Sequence, residues 1–117
     1  MTLVMYGQPG GPYEVRVLPQ FEGLESDWLV PNVDPGTVTL GQWHRLEWLV
    51  TWSSTSRIPD GAVQWWLDGR LVGSYHQVAF PAGAFSEFKL SPTWGGVGDH
   101  KQQEDHFWFD EVRLSAR

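Results

Sequence analysis

Two carboxylates at strand spacing form one pattern in this sequence that could support catalysis. Glu25 and Asp27 are two residues apart, so both would project from one face of an extended segment. Retaining glycosidases use such a pair about 5 Å apart, one carboxyl group as nucleophile and the other as acid. Both residues lie in "EGLESDWLVP", which has the composition of a loop. We therefore interpret the pair as part of a solvated turn and assign no catalytic residue.

A second group of ionisable residues lies in "GDHKQQEDH", residues 98–106. Clusters of His and carboxylate side chains bind metals, but the spacing here is irregular and lacks the dense oxygen pattern of a calcium loop. We predict a solvated polar loop and name no metal ligand. The residues concerned are Asp99, His100, Glu104, Asp105 and His106.

A third chemistry to consider is that of a polysaccharide lyase. Such an enzyme needs a base, commonly His or Tyr, and a cation or amide that neutralises the uronate carboxylate. Residues of suitable type are His44, Arg45, Tyr75, His76, Lys89, His100 and Lys101. Because no spacing ties a His–Tyr–Arg set together, polar residues on surface strands are the simpler interpretation.

Length and composition limit the partners of the chain. Its 117 residues predict one domain. The net charge of -6, with only eight Lys and Arg, argues against nucleic acid and anionic membranes. No apolar run approaches the roughly 20 residues of a membrane span, and no signal-peptide pattern opens the chain. There is no cysteine, whereas eight tryptophans call for large flat apolar surfaces, either in a core or on a binding face.

The pattern of the elements is all-β. Aromatic and β-branched segments alternate with Gly, Pro, Asp and Asn clusters, and no long stretch has the helical period. Strands are predicted near 2–6, 13–18, 27–30, 37–40, 43–52, 62–67, 70–75, 85–91 and 107–114.

A hairpin is predicted in "AVQWWLDGRLVGSY", residues 62–75. Asp68-Gly69 separates two alternating runs and supplies the positive φ angles of a type I′ turn. Trp66 is then either covered by a second layer or partner, or exposed as a platform. Alternation divides the first run into two faces: Val63, Trp65 and Leu67 on one, Gln64 and Trp66 on the other.

Two other predicted strands differ in how cleanly their faces separate. In "WHRLEWLVTW" one face is apolar, and the opposite face is more polar and carries Arg45, Glu47 and Thr51. In residues 107–114 neither face is cleanly apolar, so the period alone does not decide which side is buried. The apolar face of the first strand consists of Leu46, Trp48, Val50 and Trp52.

Four separated segments resemble the concanavalin A-like lectin/glucanase superfamily. They are "GQWHRLEWLVTW", "DGAVQWWLDGRLVGSY", "FKLSPTWGGVGD" and "FWFDEVRLS", within residues 41–115. Laminin-G-like modules, family 16 glycoside hydrolases and jelly-roll polysaccharide lyases share this layout. The resemblance implies an antiparallel β-sandwich of jelly-roll type, and it implies fold more than activity. Under it, His44 is a structural strand residue.

The resemblance to family 16 hydrolases also implies a role for Trp94. A Trp in that position lines the concave sugar-binding face, and Gly95-Gly96 would keep the loop low enough for a sugar ring to approach. A pyranose presents a flat face of C–H bonds that an exposed indole can cover. We predict hydrogen-bonding neighbours at Asp99, Lys101 and Gln102, with Trp66 as a second aromatic.

The chain also departs from the resembled families. Of their Glu-x-Asp-x-x-Glu motif, Glu25 and Asp27 lack the third carboxylate, and their opening strands have no obvious counterpart. We therefore expect a fragment, a module shortened at its N-terminus, or one half of an assembly. Structural calcium, which many of these jelly rolls hold, is implied only by the resemblance, and we predict no other cofactor.

The sequence thus predicts a non-catalytic, lectin-like module that binds a polysaccharide or oligosaccharide outside the cell or at its surface. Weak binding, between about millimolar and micromolar, is expected from one or two stacked rings. The acidic balance favours a neutral glycan. A jelly-roll lyase or glycoside hydrolase is the alternative. A structural component of a virion or cell surface is another, and an exposed sheet edge could then form a homodimer.

Overall fold

A computed structural model describes residues 1–20, 28–81, 85–92 and 104–116 of the chain. The chain divides into two compact units, Met1–Ala84 and Phe85–Arg117. The described residues contain six β-strands and no helix, which confirms the all-β prediction. This part of the chain therefore holds no helix of the length and apolarity that a membrane crossing requires.

The six strands form two antiparallel three-stranded sheets in the first unit, an arrangement consistent with a β-sandwich. Sheet A has the order β1-β2-β3 and sheet B the order β4-β5-β6. The strands are β1 Thr2–Gly7, β2 Tyr13–Leu18, β3 Thr37–Val38, β4 Leu46–Thr51, β5 Gly61–Leu67 and β6 Arg70–Val78.

The predicted hairpin joins β5 and β6. Asp68 has φ 52° and Gly69 has φ 78°, so both central residues of the turn are left-handed. Leu67 pairs directly with Arg70, which makes this a two-residue loop. Two left-handed central residues match the twist of the flanking strands and define the type I′ turn. The prediction from Asp-Gly is therefore confirmed.

The core lies between the inward faces of the two sheets. Trp65 in β5 is 0% exposed, and its indole Nε1 donates a hydrogen bond of 3.1 Å to the carbonyl oxygen of Val15 in β2. This bond satisfies the polar atom of a fully buried ring, as burial requires. The indole thus ties sheet B to sheet A. The other buried apolar residues are Val17, Val63, Leu67, Val72 and Phe80.

Gly73 in β6 is paired with Trp65 and lies directly under its ring. A Cβ added at this glycine would come within 2.1 Å of the indole. Atoms in a packed interior do not approach so closely. The large ring in β5 and the missing side chain in β6 therefore form one complementary pair.

The segment before β3 closes the outer edge of β6. The Asn32 side chain accepts a hydrogen bond from Ser74 N–H (2.8 Å) and donates one to the Ser74 carbonyl oxygen (2.9 Å). The backbone N–H groups of Asn32 and Val33 both donate to the Val72 carbonyl oxygen. These bonds replace a neighbouring strand and satisfy an edge that would otherwise be open to pairing. Within the described ranges β1 pairs only with β2 and β4 pairs only with β5, so the predicted homodimer would use one of these outer strands.

Several predicted strands are shorter than expected, or wrong. Residues 37–40 keep a strand only at Thr37–Val38, and the 27–30 strand is reduced to a single bridge between Leu29 and Val17. The strands predicted at 85–91 and 107–114 are wrong over the described residues, which have no strand there. The cause lies in the patterns: Phe85, Phe88 and Leu90 do not alternate, and 107–114 has apolar residues on both faces. A strand also needs a neighbouring strand, and among the described residues neither segment belongs to one of the two sheets.

Candidate functional site

Most of the predicted sugar-binding residues lie outside the part of the chain that the structure describes. Trp94, Asp99, Lys101 and Gln102 lie outside the described residues, as do Glu25 and Asp27. Trp66 is described, in β5. The candidate site is therefore built around Trp66.

The alternation predicted for β5 is confirmed. Val63, Trp65 and Leu67 are buried, while the intervening side chains are only partly buried. Trp66 thus lies on the outer face of sheet B, defined as the face opposite Trp65. Of the two environments that were expected for Trp66, the structure shows an intermediate one, a ring partly open to solvent.

The strand pairing determines which residues surround Trp66. Residues directly opposite each other in antiparallel strands share a face. Glu47 and Leu71 therefore flank Trp66, one on each side. The same rule places the remaining members of the outer face of sheet B in two further rows, Leu49–Gln64–Ser74 and Thr51–Ala62–His76.

Three polar side chains on this face form a hydrogen-bonded ladder. The Gln64 amide Nε2 donates to the Ser74 hydroxyl at 3.1 Å, and the Ser74 hydroxyl lies 3.0 Å from Nε2 of His76. The Ser74 hydroxyl has one proton and two lone pairs, so it can accept from Gln64 and either donate to or accept from the His76 ring. The Gln64 amide oxygen and Nδ1 of His76 have no hydrogen bond among the described residues, and both can bond to a ligand.

A Ser–His contact also occurs in nucleophilic enzymes. Such a site needs a further group that orients the other ring nitrogen, together with donors that stabilise an oxyanion. In the described ranges no hydrogen bond is recorded at Nδ1 of His76, and the Ser74 hydroxyl accepts from Gln64. The ladder can exchange hydrogen bonds with the hydroxyl groups of a ligand.

The lyase candidates are dispersed over the described part of the molecule. The Tyr75 ring stacks on Trp65, with centroids 5.9 Å apart, and its hydroxyl donates to the Val30 carbonyl oxygen. His76 lies on the opposite face of sheet B, and Lys89 pairs with Glu87 within the second unit. The described residues thus bring no His–Tyr–Arg set together.

The predicted His/carboxylate cluster is only partly visible. Asp99 and His100 are outside the described ranges, while Glu104, Asp105 and His106 are exposed. Among the residues that can be described, no three side chains of metal-binding type come together.

The loop before β4 is held by contacts that the sequence did not reveal. Nδ1 of His44 lies 2.8 Å from Oδ2 of Asp68, and Nε2 of His44 accepts a hydrogen bond from Thr39 N–H. Asp68 also accepts from the backbone N–H of Arg45, and its own N–H donates to the Arg45 carbonyl oxygen. His44 therefore holds this loop in place. It is not the strand residue that was predicted, because β4 begins only at Leu46, three residues later than expected.

These contacts shift the titration of Asp68. The hydrogen bond from His44 and the backbone N–H of Arg45 hold the pKa of the Asp68 carboxyl below its ordinary value. The carboxylate form is thus favoured in the folded protein. Asp68 is both a turn residue and the anchor of the loop that runs from Thr39 to Arg45.

Asp68→Asn is expected to lower the free energy of unfolding near pH 7 by about 1 kcal/mol, the size of a charged hydrogen bond screened by solvent. Asn also adopts the left-handed backbone conformation that this turn position requires, but its side chain cannot be ionised. Because the folded-state pKa lies below the unfolded value, the carboxylate stabilises the fold above about pH 4 and loses this effect as the pH falls through the folded pKa. Urea unfolding at a series of pH values should show the gap between wild type and variant shrinking in acid. A gap that stays constant would contradict the assigned contacts.

A second aromatic cluster, also missed from the sequence, lies on sheet A. The Arg16 guanidinium lies 3.7 Å above the Tyr6 ring and 5.9 Å from the Trp28 ring, and it pairs with Glu14. Tyr6 and Trp28 meet edge to face. Arg16 already covers one face of the Tyr6 ring, and its charge is paired with that of Glu14. The groups of this cluster therefore interact with one another. Trp28 is therefore a suitable control for Trp66.

The comparisons with known proteins add no relative. Scans against protein-family models, curated proteins and solved structures each found no significant match. The resemblance to concanavalin A-like proteins therefore stays a prediction.

Proposed function

We propose that this chain is a non-catalytic carbohydrate-binding module that holds a glycan on the outer face of sheet B. The observation that carries the proposal is the position of Trp66, a partly exposed indole next to a ladder of hydrogen-bonding side chains. Sugars combine apolar ring faces with hydroxyl groups around the rim. A surface that pairs an aromatic ring with neutral donors and acceptors is complementary to both.

The rigidity of β5 supports this role for Trp66. The strand is central in sheet B and is paired on both sides, with Trp65 and Leu67 buried in the core. An indole presented by such a strand loses little conformational freedom when a sugar ring stacks on it. Weak but specific retention is therefore the expected behaviour.

The charge around Trp66 favours a neutral glycan. Glu47 is the direct neighbour of Trp66 on β4, and its charge is only partly offset by Arg45, whose Nη2 lies 3.1 Å from Oε1 of Glu47. A uronate carboxylate placed on Trp66 would meet this acidic group and the net charge of -6. Neutral glucans should therefore be preferred over alginate or glucuronans.

The proposal includes a jelly-roll fold of concanavalin A-like type. Two antiparallel sheets with a Trp-centred core between them support it, and so does the order of the four resembling sequence segments. Trp94 remains a proposed second contact within this module.

Affinity electrophoresis through gels containing different polysaccharides tests the proposal. Wild type should be retarded in at least one neutral glucan. Trp66→Ala should lose about tenfold in affinity, because an aromatic contact of this kind supplies about 1.4 kcal/mol. Trp28→Ala removes a more exposed indole from the sheet A cluster and should migrate like wild type. Trp94→Ala, run alongside, tests the other aromatic.

Three outcomes would contradict the proposal. If Trp66→Ala and wild type have the same mobility in every gel, the outer face of sheet B does not bind glycan. If incubation with the glycan releases unsaturated products that absorb in the ultraviolet, the chain is a lyase. New reducing ends would identify a hydrolase instead.

A further inference from the structure

Trp43 is an exposed tryptophan for which neither the core nor the proposed site has a use. It is 71% exposed, compared with 39% for Trp28. Leaving an indole in water forgoes the stabilisation that its burial would supply. A single exposed aromatic is unremarkable in itself. What distinguishes Trp43 is that hydrogen bonds hold the loop on which it lies.

The residues on either side of Trp43 are fixed by hydrogen bonds. On one side, Thr39 N–H donates to the His44 ring at 3.0 Å. On the other, His44 and Arg45 are both bonded to the Asp68 carboxylate, at 2.8 and 2.9 Å. The loop is thus anchored to the β5–β6 turn immediately next to the exposed ring. A ring held in this way offers a large contact area at a low cost in conformational entropy.

The loop also lies at the end of sheet B nearest Trp66. Arg45 is bonded to Asp68, Leu46 pairs with Leu67, and the next pair along the sheet is Glu47 with Trp66. Four residues of extended chain span at most about 14 Å, so the backbone of Trp43 lies within that distance of Glu47. Trp43 and Trp66 therefore lie near the same end of sheet B. Arg45 and Glu47 follow Trp43 in the chain, and Glu47 pairs with Trp66.

We propose that Trp43 is a second aromatic subsite of the glycan site, which takes a sugar ring further along the chain than the ring on Trp66. This inference rests on the proposed function of the outer face of sheet B. The ligand is then a neutral oligosaccharide of which one sugar ring stacks on Trp66 and another on Trp43. A second sugar ring stacked on Trp43 adds to the affinity that the first ring supplies on Trp66. This gain in affinity appears only when one ligand spans both positions.

A lipid surface is the competing partner for an exposed Trp beside an exposed Leu40. The charges around the loop disfavour it. Glu47 lies close by in sequence, and the chain carries a net charge of -6, which opposes approach to an anionic leaflet. The hydroxyl-binding ladder on the same sheet favours a glycan.

Isothermal titration with oligosaccharides of increasing length, cut from the glucan that retards wild type most, tests the inference. Trp43→Ala should bind the shortest ligands like wild type and lose about fivefold with the longest. Trp43→Phe should restore most of that loss, because it keeps a ring. Thermal unfolding of both variants serves as the folding control.

The outcomes separate this inference from the proposed function. If Trp66→Ala loses affinity while Trp43→Ala matches wild type at every length, the second subsite is wrong and the glycan site stands. If wild type binds no oligosaccharide, both fail. If Trp43→Ala instead abolishes binding to phosphatidylcholine vesicles and leaves glycan binding unchanged, the loop is a membrane contact and the subsite is overturned.

Discussion

Trp65→Ala is expected to remove most of the stability of the first unit. The side chain is 0% exposed, packs its ring over Gly73, stacks on Tyr75 and donates the hydrogen bond to Val15 that joins the two sheets. Truncating a buried Trp leaves a large cavity and costs about 3–5 kcal/mol. Domains of this size have about 5–15 kcal/mol in total. Urea unfolding followed by circular dichroism should therefore show a variant that is marginally folded or unfolded.

Trp43→Ala is the matched control for Trp65→Ala. The same side chain is removed, but from an exposed position, so the change in stability should be within about 0.5 kcal/mol. If Trp65→Ala unfolds at the same urea concentration as Trp43→Ala, Trp65 does not hold the sheets together.

Gly73→Ala is expected to destabilise the unit by about 3 kcal/mol, the upper end for overpacking a core. The added methyl group would lie 2.1 Å from the Trp65 ring. Neither the central strand β5 nor the edge-closed strand β6 can move away without breaking other pairs. The measurement is again the midpoint and slope of urea unfolding.

A double variant tests whether the ring of Trp65 is the cause. Trp65→Phe shortens the aromatic system and makes room above residue 73, although it also removes the donor to Val15. In the Trp65→Phe background Gly73→Ala should therefore cost much less than in wild type, giving a coupling energy of about 1–3 kcal/mol. Strictly additive effects would mean that the two residues do not compete for the same space.

The parts of the fold that could be predicted are those determined by local sequence. Asp68-Gly69 requires two left-handed residues, and few dipeptides supply them as readily. In β5, strict alternation separates Trp65 from Trp66, because successive strand residues point to opposite faces. Alternation also predicted the inward face of β4, since Trp48 and Val50 pack against the core.

The predictions that failed depended on long-range contacts. The Asn32 side chain forms strand-like hydrogen bonds with the backbone of Ser74 in β6, 42 residues away. No local sequence pattern predicts these bonds. The late start of β4 follows from the bonds between Arg45 and Asp68, which are 23 residues apart. Phe107 and Trp108 have strand propensity, but propensity cannot provide the neighbour that a strand needs.

The candidate site was predicted in part. Trp66 was recognised because alternation excluded it from the core face, whereas Gln64, Ser74 and His76 come together only through the register of β5 with β6. That register includes a bulge between Trp65 and Trp66, which the sequence does not reveal. Trp43 was missed because the strand was predicted to begin at that residue, whereas β4 begins at Leu46 and Trp43 lies in the anchored loop before it.

Fluorine NMR of protein labelled with 5-fluorotryptophan tests most directly whether the Trp66 ring contacts a sugar. The Trp66 and Trp28 resonances are assigned from the signals that disappear in Trp66→Phe and Trp28→Phe, and the labelled wild type is then titrated with each glucan of the electrophoresis panel. The account predicts that a retained glucan shifts or broadens the Trp66 resonance and leaves the Trp28 resonance in place. A Trp66 signal that stays unchanged at saturating glucan would contradict it.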